Sequence, residues 1–184
     1  MDVGFKYTEA DKNTKVFIEQ VFAEKPGGGF VANPGFDVAP GTAVGLEGKQ
    51  YKAIKGYRLT KAVSPEDSTI QIAKGSGIVS GDHIGHAKKA VTSTEVDTTS
   101  HADYDVVTVT LGVSIPAGTV LYEAKGASSS AAAPKLTPVY VTGGWVYANE
   151  GDQMVRLVNG ANLRKETAAI AEEVAALLPT INLV

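Results

Sequence analysis

The chain has no cysteine, a single tryptophan, two methionines and three histidines among its 184 residues. The missing cysteine removes disulfides, thiolate nucleophiles and cysteine-based zinc sites in one step. It fits a protein that folds in a reducing compartment. No run comes near the roughly eighteen consecutive apolar residues that cross a bilayer as a helix. The opening MDVGFKYTEADKNTK carries charge where a secretory signal needs an apolar stretch. Synthesis in a cytoplasm is therefore expected. Surplus positive charge is missing too: the formal net charge is −3 and the pI about 5.6. Neither nucleic acid nor an anionic membrane surface is an expected partner.

What is present reads as a globular β protein. Hydrophobic residues make up 43% and charged residues 20%, a balance that can build a core. A chain of this length buries roughly 70% of its unfolded-state surface without help from metals or disulfides. From residue 38 to about 158 the apolar residues alternate. Tyr57, Leu59 and Val63 share a parity, as do Ile70 and Ile72, and Val107, Val109, Leu111 and Val113 line one face of YDVVTVTLGV. Glycine-bearing turns separate the runs, which points to a short-stranded antiparallel sandwich or barrel.

Four segments follow from composition. Residues 1–37 read as an N-terminal arm ending in the Gly/Pro connector KPGGGFVANPG, whose glycines and prolines oppose helix and central strand. Those glycines lack the GK[ST] ending of a phosphate-binding loop. Residues 38–125 read as a first β unit, and 126–134 as an exposed Ser/Ala-rich loop. Residues 135–184 read as a second β unit closed by a helix. Thr167 is the expected N-cap, AAIAEEVAALL the body and Pro179 the stop, with Ile170, Val174 and Leu177 on one face.

The two β units echo one another. VAPGTAV (38–44) resembles IPAGTVL (115–121), and residues 56–78 run parallel to 141–163. In that alignment Ile70 and Ile72 correspond to Val155 and Leu157. Two related copies of one small β unit are expected.

Chemistry is sparse. Asp82, His83 and His86 could be drawn as a metal cluster, but on a strand the two histidines point to opposite faces. An exposed turn with polar tips is expected there, and no metal or other cofactor. Neither GSG (75–77) nor SSS (128–130) sits in a nucleophile-elbow pattern. Carboxylates are scattered singly, so a glycosidase-type acid pair would have to be assembled in space. No catalytic residue is assigned and the chain is not expected to be an enzyme. Trp145 beside Tyr147 reads as a core or interface anchor, with an aromatic platform for sugar as the alternative. Phe22, Trp145, Tyr147 and the helix face Ile170/Val174/Leu177 offer more apolar surface than one small lobe covers. They form the expected interaction set.

The stretches IQIAKGSGIVSGDHI (70–84), YDVVTVTLGVSIPAGTVLYEA (104–124) and RKETAAIAEEVAALLPTINLV (164–184) resemble tailed-phage and prophage head-fiber or capsid decoration proteins. TPVYVTGGWVYANEGDQMVRLVNGANLRKETA (137–168) is similar, more distantly, to the later β-rich part of the lambda-type head decoration protein. The resemblance spans more than half the chain, rests on turn and strand signatures, and brings no active site. It implies β-tulip-like units, a homotrimer, and a seat on the major capsid protein at the virion's outer surface. Synthesis would be in the bacterial host cytoplasm, and a host surface glycan would be a further ligand.

Overall fold

The computed structural model describes residues 15–184. Four strands come first: β1 (Ile18–Glu24), β2 (Gly29–Val31), β3 (Ala43–Glu47) and β4 (Gln50–Ala53). The middle of the chain adds β5 (Gly56–Arg58), β6 (Thr69–Ala73), β7 (His83–His86) and β8 (Lys89–Thr92). It continues with β9 (Glu95–Asp97), β10 (Tyr104–Thr108) and β11 (Val120–Glu123). The last part holds β12 (Pro138–Thr142), β13 (Gln153–Val155), β14 (Leu157–Leu163), the single-turn helix α1 (Glu172–Ala175) and β15 (Ile181–Leu183). The protein is mainly β, with one short helix near its C-terminus.

One sheet runs β1-β14-β12-β3-β4-β2-β13, with β15 parallel to β14. Only Arg156 separates β13 from β14, so the sheet curls into a half-barrel. Val31, Val38, Val44, Val146 and Leu157 fill it, and Tyr51 and Tyr140 pack against them. Those two rings meet edge to face at 5.7 Å.

Between β4 and β12 the chain builds a second unit from two small sheets, β5-β11-β7-β8 and β6-β10-β9. Side chains alternate as a pleated strand requires: Ile70 and Ile72 of β6 are buried, and so is Val107 of β10. They meet Tyr57, Leu59, Ile84, Ile115 and Leu121 in a core of their own. Each such side chain contributes roughly 1.5–3 kcal/mol on burial. A third cluster joins the units, with Ile54, Val120 and Tyr122 against Val141, Val158, Ala161 and Leu163.

Strand pairing cuts across the four-segment division expected from composition. β1 and β2 come from the N-terminal arm, β3 and β4 from the first β unit, and β12 to β15 from the second, yet all share the half-barrel. The Gly/Pro connector is part of that sheet as well. Gly29–Val31 pairs with β13 and, through Val31, with β4. A side chain at Gly28 would strike the Val155 carbonyl, and one at Gly29 would meet Tyr51 and Leu157. Gly28 and Gly29 permit close strand approach there. The Ser/Ala segment is likewise held: Ser128 and Ala90 exchange backbone hydrogen bonds of 2.7 and 2.9 Å.

The internal echo is real in the hydrogen bonding. Val146 bridges Val38 as Val63 bridges Ile115, and Leu157 faces Thr142 as Ile72 faces Leu59. Each copy's Gly-Thr strand pairs with the other copy's hairpin, β3 with β12 and β11 with β5. The copies are interlocked by exchange of a strand.

The helix is shorter than its sequence pattern. Its N-cap is Ala171, with no side-chain cap, and the helical turn ends at Ala175. Thr167 instead gives its hydroxyl to the carbonyls of Val16 and Arg164. Ala168, Ile170 and Ala171 pack on the half-barrel from a non-helical segment, so tertiary contact overrides the local propensity.

Candidate functional site

The expected interaction residues divide into two groups. Phe22, Trp145, Tyr147 and Leu177 are exposed. Ile170 and Val174 are not available: they are 3% and 1% exposed, inside the cluster that joins the two units. The apolar face of the C-terminal segment is spent on the protein's own core, and only Leu177 turns outward.

Trp145 and Tyr147 flank Val146, whose side chain is buried and whose backbone exchanges hydrogen bonds with Val38. Alternation along the extended segment therefore sends both rings outward. They lie nearly parallel, centroids 6.2 Å apart and planes 14° apart, and Phe17 meets Trp145 edge-on at 5.6 Å. Behind this ledge opens a groove of about 600 Å³ lined by Phe17, Phe36, Arg58, Trp145 and Glu166. It runs between the chain ahead of β1, the half-barrel and the second unit. Burial pulls the Arg58 guanidinium below its ordinary pKa, with Glu166 opposing that shift. Its donors go to the carbonyls of Gly118, Lys165 and Ala168 at 2.6–2.9 Å. A ledge of this kind can stack on the apolar face of a sugar or on a partner's apolar side chains.

Sequence reading missed further apolar surface. Phe30 on β2 and Met154 on β13 are direct cross-strand partners, and both are more than half exposed. The short GFV and QMV segments carry an alternation that was masked by the neighbouring glycines. Phe22 on β1 is likewise exposed.

The polar residues that could carry chemistry are engaged with one another. His83 Nδ1 is 2.9 Å from the Thr92 hydroxyl. His86 Nδ1 sits 3.3 Å from Glu173 Oε1 without hydrogen-bond geometry, while Glu173 accepts the Ala87 N–H at 2.6 Å. The two histidines thus turn to different partners. Among the described residues no three His, Asp or Glu side chains converge as a metal site would require.

Asp82 belongs to a buried network. Its Oδ2 accepts Lys55 Nζ at 2.8 Å, the Tyr57 hydroxyl at 3.0 Å and the Val79 N–H at 3.1 Å. Lys55 Nζ is also 3.7 Å from Glu123 Oε1, which accepts Lys135 Nζ at 2.7 Å. The side chains of Lys55, Asp82 and Glu123 are 14%, 11% and 3% exposed. Burial, reinforced by the Glu123 and Asp82 charges, raises the Tyr57 phenol far above its ordinary pKa, so it stays a donor.

Comparison of the chain with protein-family models, with curated proteins and with solved structures finds no match.

Proposed function

We propose that the chain is a structural virion protein that binds the outer surface of a phage capsid as a decoration or head-fiber protein. It would assemble as a homotrimer seated on the major capsid protein. The observation that carries this reading is the placement of apolar surface. Phe22 on β1, Phe30 on β2, Met154 on β13 and Trp145 on the aromatic ledge are all exposed. Surface of that kind suits permanent contact with other chains. The resemblance of residues 70–184 to head decoration proteins supports the same reading. The test is sedimentation of the purified chain with heads of the phage or prophage whose genome carries the gene. Saturable co-sedimentation at a fixed ratio to the major capsid protein is expected, and recovery of the chain only in the supernatant contradicts the reading.

A second reading has its own observation. The stacked Trp145/Tyr147 pair beside a groove matches a carbohydrate-binding or adhesive module. Host-surface glycans should then quench the fluorescence of the single tryptophan, and Trp145→Ala should abolish binding.

A further inference from the structure

We infer that Lys55 and Asp82 are poised to form an intramolecular isopeptide bond, an amide between Lys55 Nζ and Asp82 Cγ, with Glu123 as the proton carrier. Three adjacent strands hold the parts. Lys55 directly precedes β5, Asp82 directly precedes β7, and Glu123 ends β11, which lies between them. A nucleophile and an electrophile pinned this way need little further ordering before they react.

The surroundings supply an amine–carboxyl contact, donors for the oxyanion and a neighbouring carboxylate, Glu123 Oε1, 3.7 Å from Nζ. The amine and the carboxyl are in contact at 2.8 Å. Tyr57 and the Val79 N–H both donate to Asp82 Oδ2, the oxygen that takes up negative charge when the carbonyl carbon is attacked. That is the arrangement of an oxyanion hole. Proton transfer from Lys55 Nζ to the Asp82 carboxylate within the contact pair gives the amine and the carboxylic acid that the attack needs. The Nζ lone pair then bonds to Cγ while the C=O π electrons move onto Oδ2. Glu123 takes the proton from nitrogen and passes it to Oδ1. Oδ1 leaves as water, the C=O re-forms on Oδ2, and Glu123 returns to its starting carboxylate. No oxidant, reductant or added reactant enters the balance.

The driving force is also local. A buried ion pair carries a desolvation cost that its attraction only partly offsets, and condensation removes both charges. The bond would join positions 27 residues apart. In a chain without cysteine it would provide the covalent tie that a disulfide supplies elsewhere.

The test is the intact mass of the purified full-length chain under denaturing conditions. With the bond formed, the chain is lighter than the sum of its residues by one water molecule. Digestion then yields a branched peptide joining the segments that carry Lys55 and Asp82. Lys55→Met and Glu123→Gln should each return the full mass, with circular dichroism checking that the β fold is kept. The wild-type measurement stands whether or not a variant folds. A wild-type mass equal to the sum of its residues overturns the inference. So does a loss of water that survives Lys55→Met, and one that survives Glu123→Gln overturns the mechanism.

Discussion

Gly41 and Gly118 hold the same post in the two interlocked copies. Each adopts a left-handed backbone, with φ of 81° and 83°. Each gives its N–H to the other copy's hairpin, Gly41 to the Thr142 carbonyl at 2.7 Å and Gly118 to the Leu59 carbonyl at 2.8 Å. A Cβ at Gly118 meets nothing, and one at Gly41 makes only ordinary contact with Ala168 and Leu163. The cost of a side chain is therefore conformational at both sites. Gly41→Ala and Gly118→Ala should each destabilise the fold by about 1–2 kcal/mol. Denaturant unfolding measures this, and a much larger loss at one site alone would contradict their equivalence.

Gly77 should respond more strongly. It also has a left-handed φ, of 67°, and an added Cβ would run into the Phe36 ring. Overpacking costs typically 1–3 kcal/mol in addition to the backbone strain. Gly77→Ala should thus lose more stability than either Gly41→Ala or Gly118→Ala. Differential scanning calorimetry would rank the three.

The C-terminal segment separates core from surface. Ile170→Ala should cost about 2–5 kcal/mol, because Ile170 is buried where the two units meet. Leu177→Ala, at a half-exposed position, should stay within about 0.5 kcal/mol. Chemical denaturation of the two variants distinguishes them directly.

Alkaline pH should weaken the fold through Tyr57 and Lys135. Both carry folded pKa values raised above their ordinary values, 10.0 and 10.5 respectively. Burial is the leading cause at Tyr57, and the hydrogen bond to Glu123 at Lys135. A raised folded pKa means that the native state holds the proton more tightly than the unfolded chain. The stability this confers is fully present below the ordinary value and falls as pH climbs past it. Stability should therefore decline above about pH 10, and Tyr57→Phe should reduce the slope. Spectrophotometric titration should find one tyrosine that ionises only on unfolding.

Much of the architecture was legible in the sequence because it rests on local pattern. Period-2 alternation marked Ile70, Ile72 and Val107, and the Gly-Thr echo marked both copies. The exchange of strands between copies was not legible, since it depends on pairings such as Val38 with Val146, more than a hundred residues apart. The glycines at 27–29 read as part of a connector outside the β units, yet Gly28 and Gly29 serve close packing against β13, β14 and β4. Helical spacing at Ile170 and Val174 marked two buried residues, although only Val174 lies in the helix. It could not say that both are spent inside the chain. The Lys55–Asp82–Glu123 network was invisible because its members are scattered singly until β5, β7 and β11 align.

On the proposed reading the exposed apolar surface mediates self-association. Light scattering at micromolar concentration should report a trimer. Phe22→Ser and Trp145→Ser should each lower the assembled fraction without unfolding the chain. A monomer at every concentration would contradict the trimer.

The most direct measurement of the proposed role is electron cryomicroscopy of heads from a phage whose genome carries the gene and from a derivative lacking it. Density of about this chain's size is expected on the outer surface of the first heads, grouped in threes and absent from the second. Identical outer surfaces in the two reconstructions would contradict the proposed role.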